Sequence, residues 1–445
     1  MRSSAVVLLA AALASLAVAQ DTRPDWQPRF LGQTNLRHAA FMELYFSEDD
    51  SLEYEDRWTL YISRFDPATV GQYDEKYYMR SPGRFLDTVA DWGRNNIEVL
   101  DVSAYWPNNP DYLPSSVAGA EGIVWTSGFL VTGKTDGQLQ LYDTTKEPPL
   151  GPYNIASSDT EDWSYHRCLW KDMDNDGDLD ALTARFHLPL VGQVLHDVMY
   201  YENTGTGFSE GWPEHVISSA GGDVHFAPVT LSAGGRDYDC IVLGEFFEQR
   251  LSILWTDSPD NDWTDPSMIN YRVINPTAGQ TFDVLIDDFN RDGTLEIMST
   301  EYKTDVGLGQ VTVYFFPADF RTDDFASVVV ADNFIPNPIV GGQSMSPGTP
   351  KTYYPSAAYA NELETDGLPH KPWILLSGDD DGRMYILYPD TEVRDDWTYR
   401  KNILVDTLDT TVGKMAHGDI DNDGYEEIIV AGYSAGQLYV YTYAP

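Results

Sequence analysis

Positive charge is scarce in this chain: 28 Lys and Arg stand against 70 Asp and Glu, a net charge of −42. Nucleic acid as a partner is excluded on that ground, since its binding needs a basic footprint. The same field opposes a long polyanionic ligand unless a local basic patch overrides it. Cysteine is nearly absent. Cys168 and Cys240 are the two present, and they either pair in an oxidising compartment or sit as buried thiols in neighbouring units. No Asn-x-Ser/Thr sequon occurs, so N-glycans are not expected. Beyond the first twenty residues there is no long apolar run and no helical periodicity. A membrane span and a helical bundle are therefore not expected.

What is there begins with a leader. Met1-Arg2 precedes an apolar stretch from Ala5 to Val18, with Ala17-Val18-Ala19 ahead of Gln20. This pattern predicts a secretory signal peptide over residues 1–19, too short to cross a bilayer. The expectation is a secreted, extracellular and monomeric protein.

The most specific motif is Asp172-Met173-Asp174-Asn175-Asp176-Gly177-Asp178-Leu179-Asp180. Oxygen side chains stand at positions 1, 3, 5 and 9, and Gly stands at position 6. That set suits Ca²⁺, a hard cation needing six to eight oxygens, and the Gly permits the sharp turn. The loop recurs with Asp288, Asn290, Asp292, Thr294 and Glu296 at its odd positions, and again with Asp419, Asp421, Asp423, Tyr425 and Glu427. Each copy, Asp178 at position 7 of the first included, runs into a β-type apolar run. About three structural Ca²⁺ sites are expected. The EF-hand is excluded because the first two copies lack a Glu at position 12 and strands follow the loops.

Two further pieces repeat. One is a turn leading into an alternating strand, as in Gly137–Tyr142, Gly309–Tyr314 and Gly436–Tyr441. The other is a short β-branched run, beginning at Arg29, Arg84, Tyr153, His215, Arg272, Val328 and Asn402, at spacings of 55 to 74 residues. Seven four-stranded units of this length predict an all-β fold, a seven-bladed β-propeller spanning residues 20–445 as one domain. The last unit lacks an outer strand. The N-terminal run Arg29–Leu31 is expected to supply it and close the ring. The calcium loops resemble those of FG-GAP and VCBS-type propellers. That resemblance implies that each loop joins the first and second strands of a blade and stiffens it.

On the face opposite these loops, each chain segment enters an inner strand. Reading back from the inner-strand ends places Arg37 and His38, Trp92 and Arg94, His166 and Arg167, His225, Phe282 and Asp283, Tyr353 and Tyr354, and Lys414 with His417 near a central funnel. Such a lining suits a carboxylated or polyhydroxylated ligand. Asp283 is the one carboxylate in the set, so two-acid glycoside hydrolysis is poorly supported. No Gly-x-Ser-x-Gly elbow and no zinc-type histidine spacing occurs. Elimination at a uronic acid fits better. It needs a cation on the carboxylate, a base for the C5 proton and an acid for the leaving oxygen. Arg167 or Lys414 suits the first role, and His166, His225 or Tyr354 the others. His38, Arg94, Asp283, Tyr353 and Lys414 are the expected substrate contacts. With His166-Arg167 just before a calcium loop, the chain resembles fungal-type propeller polysaccharide lyases, notably the rhamnosyl-glucuronate lyases that trim arabinogalactan side chains. The resemblance implies a plant or cell-wall polysaccharide as substrate. A lectin or adhesion propeller, and a sugar dehydratase, are the alternatives. The loop Pro336–Pro355 is expected as a rim or lid, and Trp106–Tyr112 as a loop on the calcium face.

Overall fold

The computed structural model describes residues 25–445 apart from 130, 132, 157–161, 188, 190, 191 and 340–343. The expected signal peptide lies outside the described residues. The chain forms seven four-stranded antiparallel sheets in a ring, a seven-bladed β-propeller. The inner strands of blades 1 to 7 are Ala39–Phe46, Pro107–Leu113, Ser164–Lys171, His225–Ala233, Gln280–Asp287, Pro350–Tyr353 and Met415–Gly418. In blade 7 the outer strand is N-terminal: Arg29–Asn35 pairs antiparallel with Gln437–Thr442. Both ends of the described chain are thereby tied into one sheet, which completes the seventh blade.

Alternation along the strands sends apolar side chains to both faces of each blade, because each blade is covered by two neighbours. The seam between blades 7 and 1 illustrates this. Met42, Leu60, Ile62, Ile420, Ile429, Leu438 and Val440 form one fully buried cluster there. Each such side chain contributes roughly 1.5–3 kcal/mol on burial. Position 2 of every predicted calcium loop joins a seam of this kind. Met173, Phe289 and Ile420 are all fully buried, each in a different cluster.

Three sequence expectations are corrected. Arg84-Phe85-Leu86 is not an outer strand. It lies in a 3₁₀ segment, Pro82–Asp91, followed by a short helix, Trp92–Asn95, and the outer strand of blade 1 is Glu98–Ala104. Pro82 at the first helical position starts this segment. Gly83 follows because a Cβ there would lie 2.0 Å from the Ile420 carbonyl oxygen. The insert rests on the closing strand, with the Gly93 N–H donating to Thr34 Oγ1 at 2.9 Å. Next, Trp106–Tyr112 is not a lower loop. Pro107–Leu113 is the inner strand of blade 2. An inner strand is the free edge of its sheet, where proline removes no ladder bond. Finally, Tyr353 ends the blade-6 inner strand instead of starting it. The two cysteines are free and buried, Cys168 in blade 3 and Cys240 in blade 4.

Candidate functional site

Four inner strands carry an irregularity near their upper ends. Pairing with the second strand slips between Ala39 and Met42, Pro107 and Pro110, Tyr165 and Cys168, and Thr281 and Asp283. Bulges of this kind re-aim side chains. The residues within them are Ala40-Phe41, Asn108-Asn109, His166-Arg167 and Phe282. They meet polar groups from the remaining blades in the central channel.

His166 is the centre of one group. Its ring lies 5.0 Å from that of His225, 5.1 Å edge-on from Phe41 and 5.6 Å from Phe282. Nδ1 of His225 lies 2.9 Å from Oδ1 of Asp283 in the next blade. His166, His225 and Asp283 are 2 %, 3 % and 4 % exposed. Burial pushes the His225 imidazole below its ordinary range, partly opposed by the Asp283 charge. Burial lowers His166 much further, helped by His225, Lys414 and Arg167. Burial alone would raise Asp283, but His225, Arg167 and Lys414 hold it below the usual carboxylate range. At neutral pH the pair is thus a neutral imidazole beside a carboxylate, an arrangement suited to a general base. Both ring nitrogens of His225 and the Nδ1 atom of His166 are buried without an aligned hydrogen-bond partner among the described residues, so the His225–Asp283 contact is a close ion-pair approach.

The cations form a second group. Lys351 of blade 6 and Lys414 of blade 7 both bind Glu43 of blade 1. Lys414 Nζ also donates to Asn109 Oδ1 at 2.8 Å. Burial opposes charge on Glu43, yet the two ammonium groups hold it down to about 2. Asp111 accepts from Asn109 Nδ2 at 2.6 Å and from the Cys168 N–H at 3.0 Å, and burial pushes it up to about 6. Arg167 differs from the lysines. It donates to the Phe226 carbonyl at 3.0 Å and has no carboxylate within 4.0 Å among the described residues. It is half-buried beside both histidines.

The expected residues thus divide. His166, Arg167, His225, Asp283 and Lys414 come together. His38 sits at the upper rim, with Nδ1 3.3 Å from Asp66 Oδ2 and its ring against Tyr433. Arg94 is exposed on the insert of blade 1, away from the channel. Tyr353 and Tyr354 lie at the lower end. The Tyr353 hydroxyl donates to the Glu426 carbonyl, and Tyr354 binds Arg291 and the His370 carbonyl. The misplacement follows from starting the blade-6 inner strand three residues late. Its channel residue is Lys351, which sequence reasoning missed together with Glu43, Asn109 and Asp111. The signal for Asn109 and Asp111 was the proline-containing inner strand, misread as a loop.

A collar of aromatic rings surrounds the upper mouth, also unanticipated. Phe65 stacks on Trp106 at 3.9 Å, and Trp106 on Phe129 at 5.5 Å. Tyr433, Phe186 and Phe247 continue it. Phe65, Trp106 and Phe186 are buried, and the partly exposed rings of Phe129, Phe247 and Tyr433 are of a type that can stack on sugar faces. The described part of Pro336–Pro355 is anchored near this mouth, the Met345 N–H donating to Asp380 Oδ2 at 3.1 Å. By contrast, a surface cavity of about 420 Å³ between blades 1 and 2 is lined by Tyr45, Arg57, Arg80, Tyr112, Glu121 and Glu147, and holds none of the channel residues.

At the lower face the three acidic loops share one backbone design. The position-2 N–H donates to the position-9 carboxylate in each, at 2.9, 3.1 and 3.2 Å. The position-6 Gly N–H donates to the position-1 Asp, at 3.2, 2.9 and 3.1 Å. Position 4 is left-handed in all three, at Asn175, Arg291 and Asn422. Carboxylate oxygens of Asp172, Asp174 and Asp180, and of Asp419, Asp421 and Glu427, lie within 4.8 Å of one another. Asp172 Oδ1 is buried without a hydrogen-bond partner. Burial and crowding by neighbouring carboxylates push Asp180 up to about 6, Glu296 to about 7 and Glu427 to about 8. Converging, under-satisfied oxygens fit a hard cation.

No protein-family profile matches the sequence, and no curated protein matches it either. Among solved structures the chain is similar to the Dos1 propeller, at 9% identity over 94% of this chain and 96% of that one, with a TM-score of 0.44. It is similar to a glucose dehydrogenase at 12% identity over 77% and 97%, TM-score 0.40. It is also similar to an α-L-arabinofuranosidase from Fusarium graminearum at 10% identity over 93% and 96%, TM-score 0.38. Likeness at this level adds nothing to the chemistry read from the channel.

Proposed function

We propose that this protein is a secreted, calcium-stabilised carbohydrate-active propeller. Its reaction is elimination at a uronic acid at the end of a plant or cell-wall glycan. The observation that carries the reading is the meeting of Arg167, which has no carboxylate partner among the described residues, with the His225–Asp283 pair in the channel. Arg167, with Lys414 nearby, neutralises the uronate carboxylate and acidifies the C5 proton. His225, its charge state set by burial and by Asp283 beside it, is the base for that proton. The C5–H and C4–O bonds break, a C4–C5 double bond forms, and the proton is returned to the leaving oxygen at the imidazole pair His166 and His225. The burial of both histidines favours exo action, since a mid-chain sugar cannot reach them. An exo enzyme also confines the charge problem of a −42 protein to one chain end.

The Ca²⁺ ions of this reading are held by the odd-numbered positions of the three loops, Asp172 to Asp180, Asp288 to Glu296 and Asp419 to Glu427. Bound there, Ca²⁺ would stiffen the loops at the opposite face from the histidines.

Incubation with gum arabic or pectin tests the reaction. The expected result is near-ultraviolet absorbance from an unsaturated uronate, lost in His225→Gln. Retained glycan binding without absorbance identifies a lectin instead, and a dehydrated monosaccharide product identifies a sugar dehydratase.

A further inference from the structure

The connection from inner to second strand carries an acidic loop in blades 3, 5 and 7. Blade 6 replaces it with the longer segment between Tyr353 and Trp373, which includes a short helix, Ala357–Asn361. A small hairpin follows, with Leu363 bridged to Pro369. It presents Glu364 and His370 on one side. Glu392, from the connection between the third and outer strands of the same blade, approaches them. One ligand-capable atom from each of the three residues lies within 4.8 Å of the other two.

His370 is 2 % exposed, and neither ring nitrogen has a hydrogen-bond partner among the described residues. Nδ1 nevertheless lies 2.9 Å from Glu364 Oε1 and 3.4 Å from Glu392 Oε1. Glu392 Oε1 is itself buried and without a hydrogen-bond partner. An orphaned nitrogen this close to two carboxylate oxygens, with no aligned N–H, is the pattern of donors converging on a common point. Donors about 2.0–2.1 Å from a tetrahedral zinc ion stand roughly 3.3 Å apart, within the range seen here. The site is also held in place. The ring of Tyr359 stacks on His370 at 4.1 Å and 3°. The Lys371 N–H donates to Glu392 Oε2 at 2.8 Å. Glu362 Oε2 stands 3.8 Å from Nε2, on the side from which a carboxylate orients a ligating histidine. The nearby cations are engaged elsewhere. Arg394 is paired with Asp366, and Lys371 Nζ donates to the Val393 and Asp396 carbonyls.

The geometry points to a divalent transition-metal site of the zinc type in blade 6, with Glu364, His370 and Glu392 as ligands. An imidazole with two carboxylates selects such a metal over Ca²⁺, which takes oxygen donors. It ties two lower-face connections of one blade together, where the other loops rely on a hard cation.

The test is titration of the full chain with Zn²⁺ in millimolar Ca²⁺, followed calorimetrically, with Co²⁺ as an absorbance probe. One additional equivalent per chain and a visible Co²⁺ band are expected. Affinity should fall at least tenfold in His370→Ala, Glu392→Gln and Glu364→Gln. Glu364 is partly exposed, so its variant keeps the test open if the buried ones misfold. Absence of an extra equivalent overturns the inference. So does an equivalent that survives all three variants or disappears in His225→Gln.

Discussion

Nδ1 of His225 and Oδ1 of Asp283 lie 2.9 Å apart across the seam between blades 4 and 5. Neither strand could build this pair alone. Each blade contributes one side chain, and the ring brings the two together below an aromatic mouth.

The pair predicts a rate and a pH profile. His225→Gln should lower kcat about 10²–10⁴-fold, the usual range for a lost general base, with little change in KM. The base must be neutral, and burial holds its pKa below 6.5, so activity should rise with pH and level off below that value. Asp283 opposes the lowering, so Asp283→Asn should move the rising limb to still lower pH and reduce the plateau. Unchanged kcat/KM in both variants would remove His225 from the reaction.

Arg167→Lys should be poorly tolerated. A lysine keeps the charge but loses the planar fork that grips a carboxylate in two places. A loss of about 1.5–3 kcal/mol of binding to the charged group is expected, roughly 10- to 150-fold in kcat/KM. A reduced, uncharged substrate end should show no such difference between the two proteins.

Tyr354→Phe serves as the control the structure provides. Its hydroxyl binds Arg291 and the His370 carbonyl at the lower face. Activity should stay within about twofold, while stability falls by about 1 kcal/mol for the lost hydrogen bonding. A large drop in turnover would return Tyr354 to the chemistry.

Glu43→Gln should destabilise the ring itself. Lys351 and Lys414 would lose the carboxylate they share in the channel. Breaking such a pair costs about 3 kcal/mol. Thermal unfolding would show it, and Glu43→Gln combined with Lys351→Met should recover part of the loss.

Calcium should stabilise more as pH rises. In the metal-free fold, Asp180, Glu296 and Glu427 titrate at about 6, 7 and 8. These values exceed the ordinary carboxylate range, so the folded state binds more protons than the unfolded one, and stability falls as pH rises. Calcium bound at these carboxylates would displace those protons. The gain in Tm from Ca²⁺ over chelator should therefore grow between about pH 6 and about pH 8, the window of these three groups. Taking the difference cancels contributions from the buried histidines. Saturation at ~1,000 times Kd corresponds to about 4 kcal/mol per site. A gain independent of pH would contradict metal binding at these carboxylates.

Local patterns made the architecture legible. Spacing near 60 residues, strand alternation and three acidic loops led to seven blades and an N-terminal closing strand, because each depends on a few adjacent residues. The acidic loops could be read one by one, since all nine positions lie together in sequence. Reading failed where a local pattern was ambiguous. Pro107 and Pro110 looked like a loop, yet an inner edge strand tolerates proline. Arg84–Leu86 looked like a strand, yet Pro82 and a neighbouring carbonyl favour a tight helical turn.

The channel was only partly legible for a different reason. His166, Arg167, His225, Asp283 and Lys414 could be ranked as candidates by their place before or within inner strands. Which of them face one another depends on bulges, on strand starts shifted by a few residues, and on how far seven sheets rotate about a common axis. Lys351 and Glu43 lie far apart in the chain and meet only through ring closure. The repeating unit, the number of blades and the acidic loops could be read from residue order alone, since they rest on short-range periodicity and turn chemistry. That His225 has a carboxylate partner, that Arg167 has none among the described residues and that Tyr354 lies at the other end came only with the folded ring, because each depends on how neighbouring blades pack.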